Sequence, residues 1–102
     1  MIEDEHVLAE ISVEPAALGE EHHDVVRQAI EALSAPGLVV TVNAMSTTVE
    51  GLIDDVLAAV ARAHRRAGSH ADRVITTVRL EGKRGGLHLR DRESQSGSLL
   101  RV

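Results

Sequence analysis

The sequence predicts a small α+β domain in which strands and helices follow one another in the order β-α-β-β-α-β. Three observations support this prediction. Residues 6–14 and 73–81 alternate apolar and polar side chains with a period of two, which is typical of half-buried strands. Residues 20–33 and 52–67 repeat apolar side chains at helical spacing. Between these helices, residues 38–49 contain two short runs rich in β-branched residues, separated by a break.

The ends of these elements carry recognisable signals. Pro15 ends the first strand, because proline has no N–H for the next ladder bond. Pro36-Gly37 ends the first helix. The second helix has Asp54 and Asp55 near its N-terminus, where the helix dipole favours anions. Basic residues suited to its C-terminus follow: Arg62, Arg65 and Arg66.

This element order describes a ferredoxin-like βαββαβ fold, an antiparallel sheet with two helices on one face. The other face of the sheet would be uncovered and available to a subunit partner or a ligand. It would carry a mixture of polar and apolar side chains: Glu10, Ser12, Ile75, Thr77 and Arg79. We assign residues 1–84 to this single domain and residues 85–102 to a loop and a weakly ordered C-terminal tail.

Composition narrows the class of protein. The 102 residues include no Phe, Tyr, Trp or Cys, so the core must be aliphatic and no disulfide forms. Because large aromatic side chains are missing from that core, we expect a homo-oligomer. A net charge of −5 argues against a nucleic-acid partner. There is no run of roughly 20 apolar residues and the first residues are acidic, so we expect a cytoplasmic protein with no membrane partner.

Residues 45–51 (MSTTVEG) concentrate hydroxyl groups and one carboxylate just before a helix. One interpretation is a polar pocket for a small heteroaromatic ligand, with Gly51 allowing close approach. The other is that threonines are good strand formers and Glu50-Gly51 simply starts the helix. On the uncovered sheet face, a buried Glu10 would need a partner, for which Arg79 is a candidate; the alternative is a solvent-facing or inter-subunit salt bridge.

No catalytic or metal-binding motif is present. His22 and His23 are adjacent and so point in different directions on a helix, and His64 falls on the apolar side of the second helix, which favours a packed core residue. The sequence contains no HExxH, P-loop or G-x-S-x-G motif. We therefore expect no catalytic residue, no metal site and no required cofactor.

The succession of short motifs resembles the small thiamine-binding proteins, single-domain relatives of the hydroxymethylpyrimidine-binding proteins. The likeness covers residues 7–84 and lies in residues 9–13 with Pro15, residues 45–47 with Glu50-Gly51, residues 54–56, Ala63-His64 and residues 73–78. The resemblance implies ferredoxin-like protomers that pair through their sheets into homodimers or homotetramers. It also implies binding, without catalysis, of thiamine or its hydroxymethylpyrimidine half.

Carried over by this resemblance, the ligand-binding candidates are Glu10, Ser12, Asn43, Met45, Thr47 and Glu50. The Glu50 carboxylate would pair with the aminopyrimidine edge, and the hydroxyl groups would orient the ring. Since the chain has no aromatic residue, stacking on the ring would fall to Met45 or to an aliphatic side chain.

Two other functions stay open. A structural or regulatory oligomer that has lost its ligand would have a collapsed pocket filled by aliphatic side chains. An enzyme acting on a small polar substrate would have to bring its only acid–base candidates, Glu10, Glu50 and His64, into one cleft.

Overall fold

The computed structural model describes residues 5–16 and 21–91, and it confirms the predicted order of elements. Most of the predicted N-terminal lead, the connection at residues 17–20 and the tail at residues 92–102 lie outside this range. The elements are β1 (His6–Pro15), α1 (Glu21–Glu31), β2 (Val39–Val42), β3 (Thr47–Leu52), α2 (Ile53–Gly68) and β4 (Val74–Glu81).

The strands form one antiparallel sheet in the order β2-β3-β1-β4, as the ferredoxin-like prediction requires. Ala9 at the centre of β1 lies opposite Val49 of β3 on one side and Leu80 of β4 on the other. Because side chains alternate along a strand, Val7, Ala9 and Ile11 all project from the same face.

Both helices cover this face of the sheet. The core they form is aliphatic, as the composition predicts, and its largest fully buried side chains are Ile11, Leu33, Val49 and Val56. The buried positions of α2 are mostly alanine, at residues 59, 63 and 67. Such small side chains let α2 lie close to the strands. Two helices of 11 and 16 residues cover the core.

The opposite face of the sheet, here called the open face, carries neither α1 nor α2, and the segment after β4 lies over one end of it, where Leu8 is 6% exposed. Glu10 lies across from Arg79, and Ser12 lies across from Thr77. Glu10 is exposed, and no hydrogen bond or ion pair joins it to Arg79 among the described residues. Within the described chain, therefore, Glu10 and Arg79 form neither a buried pair nor a surface salt bridge with each other.

The third strand is longer at its C-terminal end than the sequence pattern suggested. Glu50 and Gly51 belong to β3, where they pair with Leu8 and Val7, and Met45 lies in the turn before it. A Cβ atom on Gly51 would lie 2.5 Å from Leu38 Cδ2 and 3.1 Å from the Gly37 carbonyl oxygen. Glycine at this position therefore lets the start of β2 pack against β3, and close approach of a ligand is not needed to explain it.

Two residues of α2 differ from their sequence interpretation. Arg62 does not serve the C-terminus of its own helix: its Nε donates to the Ala32 carbonyl at 3.0 Å, and its Nη2 donates to that of Leu33 at 3.3 Å. It thereby caps the end of α1. His64 is exposed instead of packed in the core, and its Nδ1 lies 2.7 Å from Thr76 Oγ1.

The chain after β4 returns to the start of β1. Leu87 is only 4% exposed, and its N–H donates to the His6 carbonyl at 2.8 Å. A helical turn begins at Leu89 and includes the last described residue, Asp91. The first residues after the predicted domain boundary at residue 84 therefore pack onto the domain. No described helix is both long enough and apolar enough to cross a membrane.

Candidate functional site

A cavity of about 180 Å³ lies beneath the β2–β3 hairpin, between the sheet and α1. We call it the hairpin cavity. Its floor and walls are aliphatic side chains of β1 and α1, and its mouth is formed by the hairpin turn. The lining residues are Ile11, Ser12, Val13, Val26, Ile30, Leu33, Val42, Asn43, Ala44, Met45, Ser46 and Thr47.

The hairpin turn is held by a short backbone hydrogen bond. The N–H of Asn43 donates to the Ser46 carbonyl at 2.8 Å, which joins the two residues that flank Ala44 and Met45. Met45 stands at its tip and is 90% exposed. An unbranched thioether at the mouth of an apolar cavity is free to fold over a bound ring, because methionine has three rotatable side-chain bonds.

Thr47 is the buried polar residue of the hairpin cavity. It is 4% exposed and lies between Ile11 of β1 and Val42 of β2 in the sheet. Its hydroxyl makes no hydrogen bond to another described residue. No described side-chain oxygen or nitrogen is both fully buried and unpartnered, so this hydroxyl must reach accessible space, which here is the cavity. It is therefore available to a ligand both as donor and as acceptor.

Asn43 connects the cavity to the open face. Its Nδ2 donates to Thr48 Oγ1 at 2.8 Å, and Thr48 projects from the face opposite to that of Thr47. The amide oxygen of Asn43 has no partner among the described residues and can accept a hydrogen bond. Ser12 also lines the cavity, although strand alternation directs its side chain toward the open face.

A second depression, the open-face groove, has a volume of about 230 Å³ on the other side of the sheet. Three of its lining residues are ionic, Glu10, Arg79 and Glu81, whereas the polar groups of the hairpin cavity are hydroxyls and an amide. Its remaining lining residues are Leu8, Ala9, Thr48 and Leu89.

The structure divides the six predicted ligand residues between the two faces. Ser12, Asn43, Met45 and Thr47 all line the hairpin cavity. Glu10 lines the open-face groove. Glu50 projects from that same face, because it pairs with Leu8, and so it stands apart from Thr47, which is three positions away on the same strand.

Glu50 belongs to a separate cluster with two histidines. Its Oε2 accepts a hydrogen bond from the N–H of Leu89 at 2.9 Å. One potential metal-ligand atom from each of His6, Glu50 and His88, a ring nitrogen or a carboxylate oxygen, lies within 4.8 Å of the other two. Sequence reasoning missed both histidines. The one local signal is that His6 and Glu10 are an even number of positions apart in β1, so strand alternation directs both side chains to the open face. No local pattern predicts that His88 comes back to meet them.

The acid–base residues considered for an enzyme do not form a site together. Glu10 and Glu50 project from the open face of the sheet. His64 lies on α2, on the covered side, and contacts Thr76. A catalytic cleft containing all three is therefore excluded.

The hairpin cavity is sized for one ring. Pockets that enclose drug-sized ligands have volumes of roughly 300–1,000 Å³, so 180 Å³ suits a single substituted heteroaromatic ring with the remainder of the molecule outside. The aliphatic walls would contact the ring faces, while Thr47 and Asn43 offer both hydrogen-bonding polarities at its edge.

A family model described as thiamine-binding protein matches residues 9–95 of the chain. Among curated proteins, a UPF0045 protein from Methanocaldococcus jannaschii is 33% identical over 78 residues, which are 76% of this chain and 78% of that protein.

Solved structures show the same fold. A hypothetical protein from Methanocaldococcus jannaschii matches with a TM-score of 0.81 and 29% identity, over 92% of this chain and 97% of its own. A Thermotoga maritima protein, described provisionally as acting in thiamine biosynthesis or salvage, matches with a TM-score of 0.80 and 28% identity, over 89% of this chain and 98% of its own.

Proposed function

Because the chain belongs to the thiamine-binding protein family, we propose that it binds thiamine, or its hydroxymethylpyrimidine half, in the hairpin cavity. The observation that carries the proposal is Thr47, a buried residue whose hydroxyl has no described protein partner and opens into a cavity of one-ring size. The protein acts by binding the ligand, without catalysing a reaction on it.

The chemistry of an aminopyrimidine fits the groups at the cavity. The ring carries an exocyclic amino donor next to ring nitrogens that accept hydrogen bonds. The Thr47 hydroxyl can serve either group, and the Asn43 amide oxygen can accept from the amino group. Aliphatic side chains of α1, including Val26 and Ile30, supply the apolar surface for the ring faces. Met45 would close over the exposed edge.

This assignment leaves two of the six candidates outside the cavity. Glu10 and Glu50 face the other side of the sheet, so in the proposal neither pairs with the pyrimidine edge. Hydroxyl and amide groups carry ligand recognition in their place. These groups are neutral, and the site needs no buried counter-charge, because the positively charged thiazolium ring of bound thiamine would remain in solvent.

The alternative of an oligomer that has lost its ligand requires a collapsed pocket. The hairpin cavity has a volume of about 180 Å³ and keeps polar lining residues, among them Asn43 and Thr47. This observation favours a binding protein.

We further propose that the protein is a cytoplasmic homo-oligomer whose protomers associate through their sheets. Strand β4 is an edge strand and carries three exposed large apolar residues, Ile75, Val78 and Leu80. An unpaired apolar edge promotes association with another chain.

Isothermal titration calorimetry of the full chain with thiamine and with hydroxymethylpyrimidine tests the proposed function. We expect saturable binding of both, and Kd about tenfold higher in Thr47→Val, because one hydrogen bond is lost while side-chain volume is kept. Thr77→Val is the matched control: it makes the same change on the open face, where Thr77 is exposed, and it should leave Kd unchanged.

Absence of heat with either ligand at millimolar concentration would overturn the proposed function. Binding that is equally strong in Thr47→Val would keep the function and remove the hairpin cavity as its site.

A further inference from the structure

Three side chains from distant parts of the sequence meet at one end of the open face. His6 is the first residue of β1, Glu50 lies in β3, and His88 follows β4. All three are half-buried, and one donor atom from each lies within 4.8 Å of the other two. Sequence reasoning predicted no metal site, and the six ligand-binding candidates included only Glu50 of these three.

The fold brings the cluster together through backbone pairing. Leu8 pairs with Glu50 and His6 pairs with Leu52, so His6 and Glu50 project from the same face of neighbouring strands. The buried Leu87 donates its N–H to the His6 carbonyl and thereby holds the following residue, His88, above the sheet.

The ring of His6 is oriented with one nitrogen free. Its Nδ1 lies 2.8 Å from the Leu87 carbonyl oxygen. A carbonyl only accepts, so Nδ1 carries the proton, and the neutral ring keeps a lone pair on Nε2. Histidines that bind metals are usually held in this way, with the second ring nitrogen donating to a carbonyl or carboxylate.

The other two side chains are also restrained. Glu50 accepts the N–H of Leu89 at 2.9 Å, which leaves its second oxygen able to ligate. The His88 backbone N–H donates to Asp91 Oδ2 at 3.2 Å, and its ring stacks on that of His6 with centroids 3.9 Å apart. His6 and Glu50 are therefore held by contacts outside the cluster, while the His88 ring is held by stacking on His6.

We propose that His6, Glu50 and His88 bind a divalent transition-metal ion of the zinc type. Two imidazoles and one carboxylate are a ligand set that Zn²⁺ takes in proteins, with a fourth position left for water. Ligand atoms around tetrahedral zinc lie about 3.3 Å apart, which is within the 4.8 Å limit of the cluster, and the two stacked imidazole rings must tilt apart so that both point a nitrogen at one ion. The ion would tie the segment after β4 to the two central strands, which is a role separate from ligand binding in the hairpin cavity.

Titration of the tag-free full chain with ZnCl₂ tests the proposal by calorimetry and by thermal unfolding. We expect one ion per chain and a rise of the unfolding midpoint by about 10 °C at a hundredfold excess over Kd. His88→Ala and Glu50→Gln should each weaken zinc binding at least tenfold. Glu50→Gln keeps an oxygen that can accept the Leu89 N–H, so it separates metal ligation from packing.

The control is the double variant His22→Ala/His23→Ala. These rings also contact each other, with centroids 5.6 Å apart, but they lie on α1 and belong to no candidate three-ligand group among the described residues. Zinc binding should be unchanged in this variant. Zinc affinity that is equal in the parent protein, His88→Ala and Glu50→Gln, or that falls only in the α1 variant, would overturn the proposal. The result is independent of thiamine binding, which is measured without metal.

Discussion

The side-chain amide of Asn43 donates a 2.8 Å hydrogen bond to Thr48 Oγ1, across the turn that forms the mouth of the hairpin cavity. The bond joins the last residue before the turn to the second residue of β3. It therefore restrains the turn that also carries Met45, and it links the shape of the cavity to a residue on the open face.

Two substitutions that remove this bond should weaken ligand binding to different extents. Thr48→Val removes only the acceptor, and we expect Kd for thiamine to rise about threefold, since the turn loses one exposed hydrogen bond. Asn43→Ala also removes the amide oxygen proposed to contact the ligand, and we expect a rise of tenfold or more. Calorimetry measures both values. Equal effects of the two substitutions would restrict Asn43 to a structural role.

Arg62 should contribute to stability by capping the neighbouring helix. Its hydrogen bonds to the carbonyls of Ala32 and Leu33 satisfy acceptors that the end of α1 leaves without helical partners. Arg62→Ala should lower the free energy of unfolding by about 1–3 kcal/mol. Urea denaturation measures the loss. Arg65→Ala, an exposed change on the same helix, should stay within about 0.5 kcal/mol of the parent.

Two glycines should respond to alanine in opposite directions. At Gly51 the added methyl group would meet Leu38 and the Gly37 carbonyl, so Gly51→Ala should destabilise the protein by about 1–3 kcal/mol. At Gly68, the last residue of α2, the methyl group meets no atom within 4 Å, and Gly68→Ala should stabilise by about 0.5 kcal/mol. Thermal unfolding checks both signs. Destabilisation by Gly68→Ala would contradict the open space found around the Gly68 position.

Charge on the edge strand should dissociate the oligomer. Ile75 is 48% exposed on β4, and a glutamate there would place a charge in an apolar contact between sheets. We expect Ile75→Glu to shift the mass measured by light scattering toward that of one chain. Leu57→Glu changes an equally exposed residue, at 46%, on α2 and should leave the mass unchanged. Dissociation by Leu57→Glu alone would place the contact on the helices.

The parts of the fold predicted from sequence are those decided by local periodicity. Alternation in β1 separates the buried Ala9 and Ile11 from the exposed Glu10 without reference to any other strand. The sequence pattern ends β3 too early, at Val49. Glu50 and Gly51 extend the strand only because they pair with Leu8 and Val7, which are more than 40 positions away. Arg62 is predicted to serve its own helix for the same reason: its acceptors, Ala32 and Leu33, directly follow α1.

Part of the lining of the hairpin cavity follows from local sequence. Asn43, Met45 and Thr47 are close in sequence, so one turn was enough to bring them together. Glu50 was grouped with them, although an odd spacing from Thr47 within a strand already directs the two side chains to opposite faces. The meeting of His6, Glu50 and His88 depends on strand register and on the return of the chain after β4, neither of which has a local signal.

Nuclear magnetic resonance of the isotope-labelled full chain during titration with thiamine shows whether a pyrimidine-type ligand occupies the hairpin cavity. We expect amide and methyl shifts to move in the turn from Ala44 to Thr47 and at Val26 and Ile30 of α1, with saturation at one ligand per chain. Shifts confined to Glu10, Thr48 and Arg79 would place the ligand in the open-face groove and contradict this proposal, as would a spectrum that does not change.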